Sequence, residues 1–144
     1  SFEGLCGLLK EGVRATREYA PGAEVMIHVA LGGQAEESER FFDAMAQYGV
    51  EYDIIGQSYY PEWHGTLEEL EANTKALVVK YMKPLIVVEY RDHYLDIERI
   101  VSSLPNGMGR GTFIWEATSP QWGGLFDERG AATEALDRYN GIVR

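Results

Sequence analysis

Cysteine is nearly missing from this chain: Cys6 is the sole one in 144 residues. That excludes an intrachain disulfide and a zinc site built from clustered cysteines. No apolar run approaches the roughly 20 residues that span a bilayer. Basic residues are scarce as well, 13 against 23 acidic ones, for a formal net charge of −10. With no Lys/Arg-rich run to offset it, that charge repels polyanions, so nucleic acid and anionic membranes are excluded as partners; a neutral or cationic ligand is easier to hold. The short motifs of several chemistries are also lacking. His28, His64 and His93 fall on different elements with no HExxH-type spacing, so no metal site is predicted. Gly32-Gly33 does not make a GxGxxG phosphate loop, no GxSxG elbow is present, and Asp92-His93 has no serine placed to join it. No cofactor is called for. The sequence shows no signal peptide and starts at Ser1 inside a predicted helix, which gives the expectation of a fragment or processed product.

What is present is an ordinary globular composition, 45% hydrophobic and 25% charged, in a length that suits one domain. Pro84-Leu85-Ile86-Val87-Val88-Glu89-Tyr90 holds four consecutive apolar residues. Such a run reads as a strand buried on both faces, as in a parallel sheet covered by helices. It ends on a carboxylate, and ligands in α/β folds gather beyond the carboxyl ends of the strands.

Around it the pattern alternates. Leu5, Leu8, Leu9 and Val13 recur at helical spacing, predicting a helix over 2–19 ended by Pro21-Gly22. A strand is predicted over 24–31, and a helix marked by Phe41, Ala44, Met45 and Tyr48 is stopped by Gly49. The next strand covers 52–59, followed by an aromatic loop over 60–65. Thr66 with Glu69 makes a capping box for a helix running to Tyr81. After the 84–90 strand come a short helix through Ile97, Ile100, Val101 and Leu104, and a break at Pro105-Asn106-Gly107. A fourth strand is predicted over 111–116, then a last helix lined by Ala132, Ala135, Leu136, Tyr139 and Val143. An αβαβαβαβα order implies parallel strands with helical crossovers. Four strands are too few for an eight-stranded barrel of about 250 residues, so 1–144 is read as one unit, half a barrel or a small open sheet.

The predicted strand ends bring His28, Tyr59, Tyr60, Trp63, His64, Glu89, Trp115 and Glu116 to one rim. Flat aromatic platforms beside a few polar groups suit sugars, which present apolar C–H faces ringed by hydroxyls, and glycoside hydrolysis needs carboxylates. Each residue also has a plainer reading. His28 lies between Ile27 and Val29 and could be a satisfied core residue; one of Tyr59 and Tyr60 must pack, since neighbouring strand residues face opposite sides. Trp115 could be core and Glu116 a surface charge. A tryptophan in a loop, as at Trp63, is costly to leave wet and leans toward binding.

Met26 to Gly33, Tyr52 to Pro61 with Trp63-His64-Gly65-Thr66-Leu67, Val87-Val88-Glu89, Pro105-Asn106-Gly107 and Gly111 to Glu116 run in one order across nearly the whole chain. In that order they resemble the C-terminal half of the arabinogalactan endo-β-1,4-galactanases, glycoside hydrolase family 53. The SYYPxWHGTL string is the most specific part. The resemblance implies strands 5–8 of a (β/α)₈ TIM barrel of the retaining glycosidase clan, a galactan polysaccharide as substrate, and secretion. It implies Glu89 as nucleophile, Tyr59 or Tyr60 orienting it, and Trp115 as the floor under the sugar. Trp63 and His64 would be walls of neighbouring subsites, with His28 and Glu116 hydrogen-bonding around them. The family's acid/base glutamate would lie upstream of Ser1, and Tyr90 to Tyr94 is short where the family usually has a long loop, one that holds calcium among bacterial members, so the resemblance does not carry that calcium over. Two further readings stand beside the enzyme: a half-barrel that self-associates or pairs with its missing N-terminal half, and a module that binds galactan without cleaving it.

Overall fold

The computed structural model describes residues 1–120 and 124–137. Helix α1, Phe2–Tyr19, opens on Ser1, whose hydroxyl accepts from Gly4 N. The chain then runs through β1 (Met26–Val29), α2 (Ala35–Gln47), β2 (Ile54–Ser58), a one-turn helix α3 (Pro61–His64), α4 (Leu67–Tyr81), β3 (Leu85–Glu89), α5 (Tyr94–Ser102), β4 (Gly109–Thr112) and a short α6 (Glu134–Asp137). The stretch expected as an aromatic loop contains a helical turn, because Pro61 at its first position pre-sets φ and needs no N–H partner. The capping box at Thr66 forms as expected, with both reciprocal hydrogen bonds made.

All four strands are parallel and ordered β1-β2-β3-β4. The helices cover one face, where Phe42, Met45, Leu70, Leu77, Val78, Ile97 and Val101 pack on Ile27, Ile55, Leu85 and Val87. Gly109 is required where β4 meets α5: a side-chain carbon there would collide with the Val101 carbonyl.

The fourth strand needs correction. It was expected over 111–116, but it spans Gly109–Thr112, and Trp115 and Glu116 lie in a turn beyond it. Gly111 has φ +111°, and the register between β3 and β4 slips there. Some pairing persists past the strand, since Phe113 N donates to Val87 O and Trp115 N to Tyr90 O. Of the predicted last helix the described residues include α6, which holds Ala135 and Leu136, while Ala132 lies before it in a bridge to Phe126 and the expected members Tyr139 and Val143 lie outside the described residues. β1 is also shorter than expected, leaving Glu24 outside it.

Glu24 instead meets Arg110 of β4, whose Nη1 lies 2.6 and 2.7 Å from the two carboxylate oxygens. These residues belong to opposite edges of the sheet. Three strand spacings separate the edges by about 14 Å measured along a flat sheet. Gly109 faces α5, so Arg110 faces the uncovered side, and the contact requires the sheet to curl toward that side. A curled parallel sheet with helices on its convex face is an arc of a barrel wall.

Candidate active site

On β3 strict alternation would put Glu89 with Leu85 and Val87 on the helix-covered face. It does not end there. Gln57 pairs with Val87 but Ser58 pairs with Glu89, so an extra residue is accommodated at Val88. This bulge re-aims the carboxylate to the concave, uncovered side. There Tyr60 Oη donates to Glu89 Oε1 at 3.0 Å, and His28 Nε2 lies 4.0 Å from Glu89 Oε2. His28 is in turn 2.6 Å from Ser58 Oγ. The Glu89 side chain keeps 25% of its surface exposed, enough to meet a ligand.

Of the two tyrosines proposed to orient the carboxylate, Tyr60 makes the hydrogen bond. Burial, followed by that bond to Glu89, pushes its phenol well above the ordinary range, so it stays protonated and donates. Tyr59 is 1% exposed, sits in the core cluster and donates to the Gly65 carbonyl at 2.9 Å. Burial likewise raises its phenol. Tyr59 thus supports the loop from beneath instead of standing beside Glu89.

His64, expected as a wall, is buried, and its Nδ1 accepts from Tyr60 N at 3.0 Å. Burial lowers its imidazole below the ordinary range despite the opposing pull of a Ser58 backbone hydrogen bond and the Glu89 charge. A neutral His64 can accept that N–H; a protonated one cannot. Its place is inside the turn that carries Tyr60, where it holds the backbone. Trp63 by contrast is 67% exposed and stands edge-to-face with Tyr60, ring centroids 5.5 Å apart. Trp115 is also exposed, and its backbone N–H is tied to Tyr90 O, next to Glu89. Glu116 is exposed at φ +47°, with its carbonyl closing a turn to Ser119 N.

The candidate residues did not include three buried polar groups that build the rim. Asn73 Nδ2 donates to Leu31 O, Gly32 O and Ser38 Oγ, while Gln57 accepts from Leu31 N and donates to Ser38 Oγ. Together they pin the β1–α2 turn beside His28. Gly32 approaches Ser58 O so closely that a Cβ would sit 2.7 Å from it. The available signal was a polar residue placed where periodicity demands an apolar one, as at Asn73 and Gln57.

No group of three or more His, Cys, Asp or Glu side chains placed to hold a metal occurs among the described residues. None of their helices is long and apolar enough to cross a membrane.

The curled wall recurs in solved structures. A GH53 catalytic domain from Ignisphaera aggregans superposes with a TM-score of 0.85 at 24% identity, over 99% of this chain and 53% of that one. A fungal β-1,4-galactanase does so at 0.84 and 18%, over 97% of this chain and 55% of that one. In sequence, the endo-β-1,4-galactanase of Bacillus subtilis (strain 168) is 35% identical over 85 residues, and the arabinogalactan endo-β-1,4-galactanase of Cellvibrio japonicus (strain Ueda107) 36% over 88. Those matches take in 59% and 57% of this chain but only 20% and 23% of the relatives. An uncharacterised protein from the bgaB 5' region of Niallia circulans is 34% identical over 154 residues, 84% of this chain and 41% of its own length. The chain therefore spans well under half of the curated relatives it matches and about half of the solved domains. The sequence model of glycosyl hydrolase family 53 matches residues 1–99, and with the barrel-wall fold around Glu89 in place the chain belongs to that family.

Proposed function

We propose that this chain supplies the nucleophile half of a retaining endo-β-1,4-galactanase. The observation that carries the proposal is the placement of Glu89: a bulge turns it to the concave face, Tyr60 holds one oxygen, and the other remains open. In the proposed reaction Oε2 attacks the anomeric carbon of a galactosyl unit and forms a C–O bond. The glycosidic C–O bond breaks, and the departing oxygen takes a proton from a second carboxyl group. Water then opens the glycosyl-enzyme ester, giving its proton back to that group. Trp115 and Trp63 offer exposed aromatic surface for sugar faces on either side of the cleavage point, and His28 offers a ring nitrogen to a sugar hydroxyl. The second carboxyl must stand about 5–5.5 Å from the first. We assign it to the length of the relatives that this chain does not span. A polymer too large to enter a cell places the parent enzyme outside it.

The test is to complete the barrel with the N-terminal portion of a family 53 galactanase and follow galactan hydrolysis. The completed barrel should release oligosaccharides, and Glu89→Gln should lower turnover by about 10⁴-fold or more. Hydrolysis that survives Glu89→Gln would overturn the assignment.

The chain by itself invites a second reading. β1 and β4 are edge strands, and α1 exposes Leu5 and Leu8 on a face that no described element covers. Open parallel edges beside exposed apolar side chains favour association. Sedimentation of the chain alone should show dimers or larger species without galactan turnover; a monodisperse monomer would count against this.

A further inference from the structure

Ser58 closes β2 and is almost wholly buried, 2% exposed. Its Oγ has a single hydrogen-bond partner among the described residues, His28 Nε2 at 2.6 Å. That contact can be made in two ways. If Nε2 carries the hydrogen, the serine oxygen accepts and its own hydrogen is left with no acceptor in a buried place. If Nε2 is bare, the hydroxyl donates to it and no buried donor is stranded. Buried donors without acceptors are the costlier error, so the second arrangement is favoured.

We infer that Ser58 is a positioning residue that selects the tautomer of the neutral His28 ring, with the hydrogen on Nδ1. Two consequences reach the site. Nε2 has no hydrogen to give to Glu89 Oε2, although it lies only 4.0 Å away. Oε2 therefore stays unclaimed while Tyr60 occupies Oε1. Nδ1–H, which has no protein partner among the described residues, becomes a donor reserved for an acceptor oxygen of a ligand. The tautomer stands on geometry alone; only the use made of the free Oε2 rests on the galactanase reading.

The experiment needs no sugar, so its failure is separable from failure of that reading. Long-range ¹H–¹⁵N spectra of the ¹⁵N-labelled chain, recorded well above the imidazole titration range, report which ring nitrogen of His28 carries hydrogen. The wild type should show Nε2 in the unprotonated range and Nδ1 in the protonated one. Ser58→Ala should lose that bias and move Nε2 toward the protonated range, where it can turn to Glu89. Ser58→Thr should restore the wild-type pattern, and Tyr60→Phe, which removes only the hydroxyl bound to Oε1, should leave it unchanged. A protonated Nε2 in the wild type overturns the assignment without any variant. A His28 spectrum identical in the wild type and Ser58→Ala overturns the role of the hydroxyl.

Discussion

The two faces of the sheet obey different rules. On the convex face Ile55, Leu85 and Val87 lie at 0% exposure under a continuous apolar layer, and each can be understood from its volume alone. On the concave face Met26, His28 and Glu89 remain partly open, and the two polar ones are understood from one or two polar partners each. Stability therefore resides mainly on one face and chemistry on the other. The bulge at Val88 is the device by which one strand serves both.

If that division holds, truncations should separate sharply. Leu85→Ala should cost about 2–5 kcal/mol, read as a lowered urea midpoint, because its cavity opens under α4 and α5. Met26→Ala, on the concave face, should cost under about 1 kcal/mol. Equal losses would break the comparison.

Asn73→Ala tests whether a buried polar group on the convex side works for the concave rim. It takes the side-chain donor from the Gly32 carbonyl, at about 1–3 kcal/mol, while the Leu31 carbonyl keeps Gln34 N and Ser38 Oγ. Because those residues follow β1, amide exchange should accelerate at Leu31 and Gly32 more than in α4.

His64 gives a pH window. Its folded imidazole titrates below the ordinary 6.5, chiefly through burial. Above about 6.5 neither folded nor unfolded His64 is charged and stability is unaffected. As pH falls below that value the unfolded chain takes up the proton first, so stability declines until the folded imidazole titrates too. Urea midpoints at neutral and mildly acidic pH should therefore converge in His64→Gln relative to the wild type. An unchanged difference between the two pH values would remove His64 from that role.

The smallest effect is expected at the rim of the open face. Glu24→Gln should cost no more than about 1 kcal/mol, since both partners are about half exposed, and that cost should shrink in salt.

The convex face is legible in the order of the amino acids. Leu85 to Val88 read as a strand, although only its convex side is fully buried and Ile86 and Val88 stay half-buried because no helix covers the concave side; the Thr66-Glu69 pair marks the start of α4 to the residue. Those signals are local, and packing merely ratifies them. The concave face is legible only in outline. That Tyr60 and not Tyr59 reaches Glu89 depends on the phase of β2 against β3, and the bulge that sets it is a property of pairing between strands some 30 residues apart. Ser58 escapes notice for the same reason, because its partner His28 lies on another strand. The end of β4 is misjudged because Gly111-Thr112-Phe113 alternates well but Gly111 takes a positive φ.

The bond between Glu24 and Arg110 reaches past its modest energy. A wall bent by its own side chains presents its two free edges at a set separation before any complementary strands arrive. Strands docking onto a frame already shaped to receive them give up less freedom than strands that must first impose the shape. Cutting that strut should therefore show less in how firmly the chain holds together than in how constant the spacing of its two edges stays.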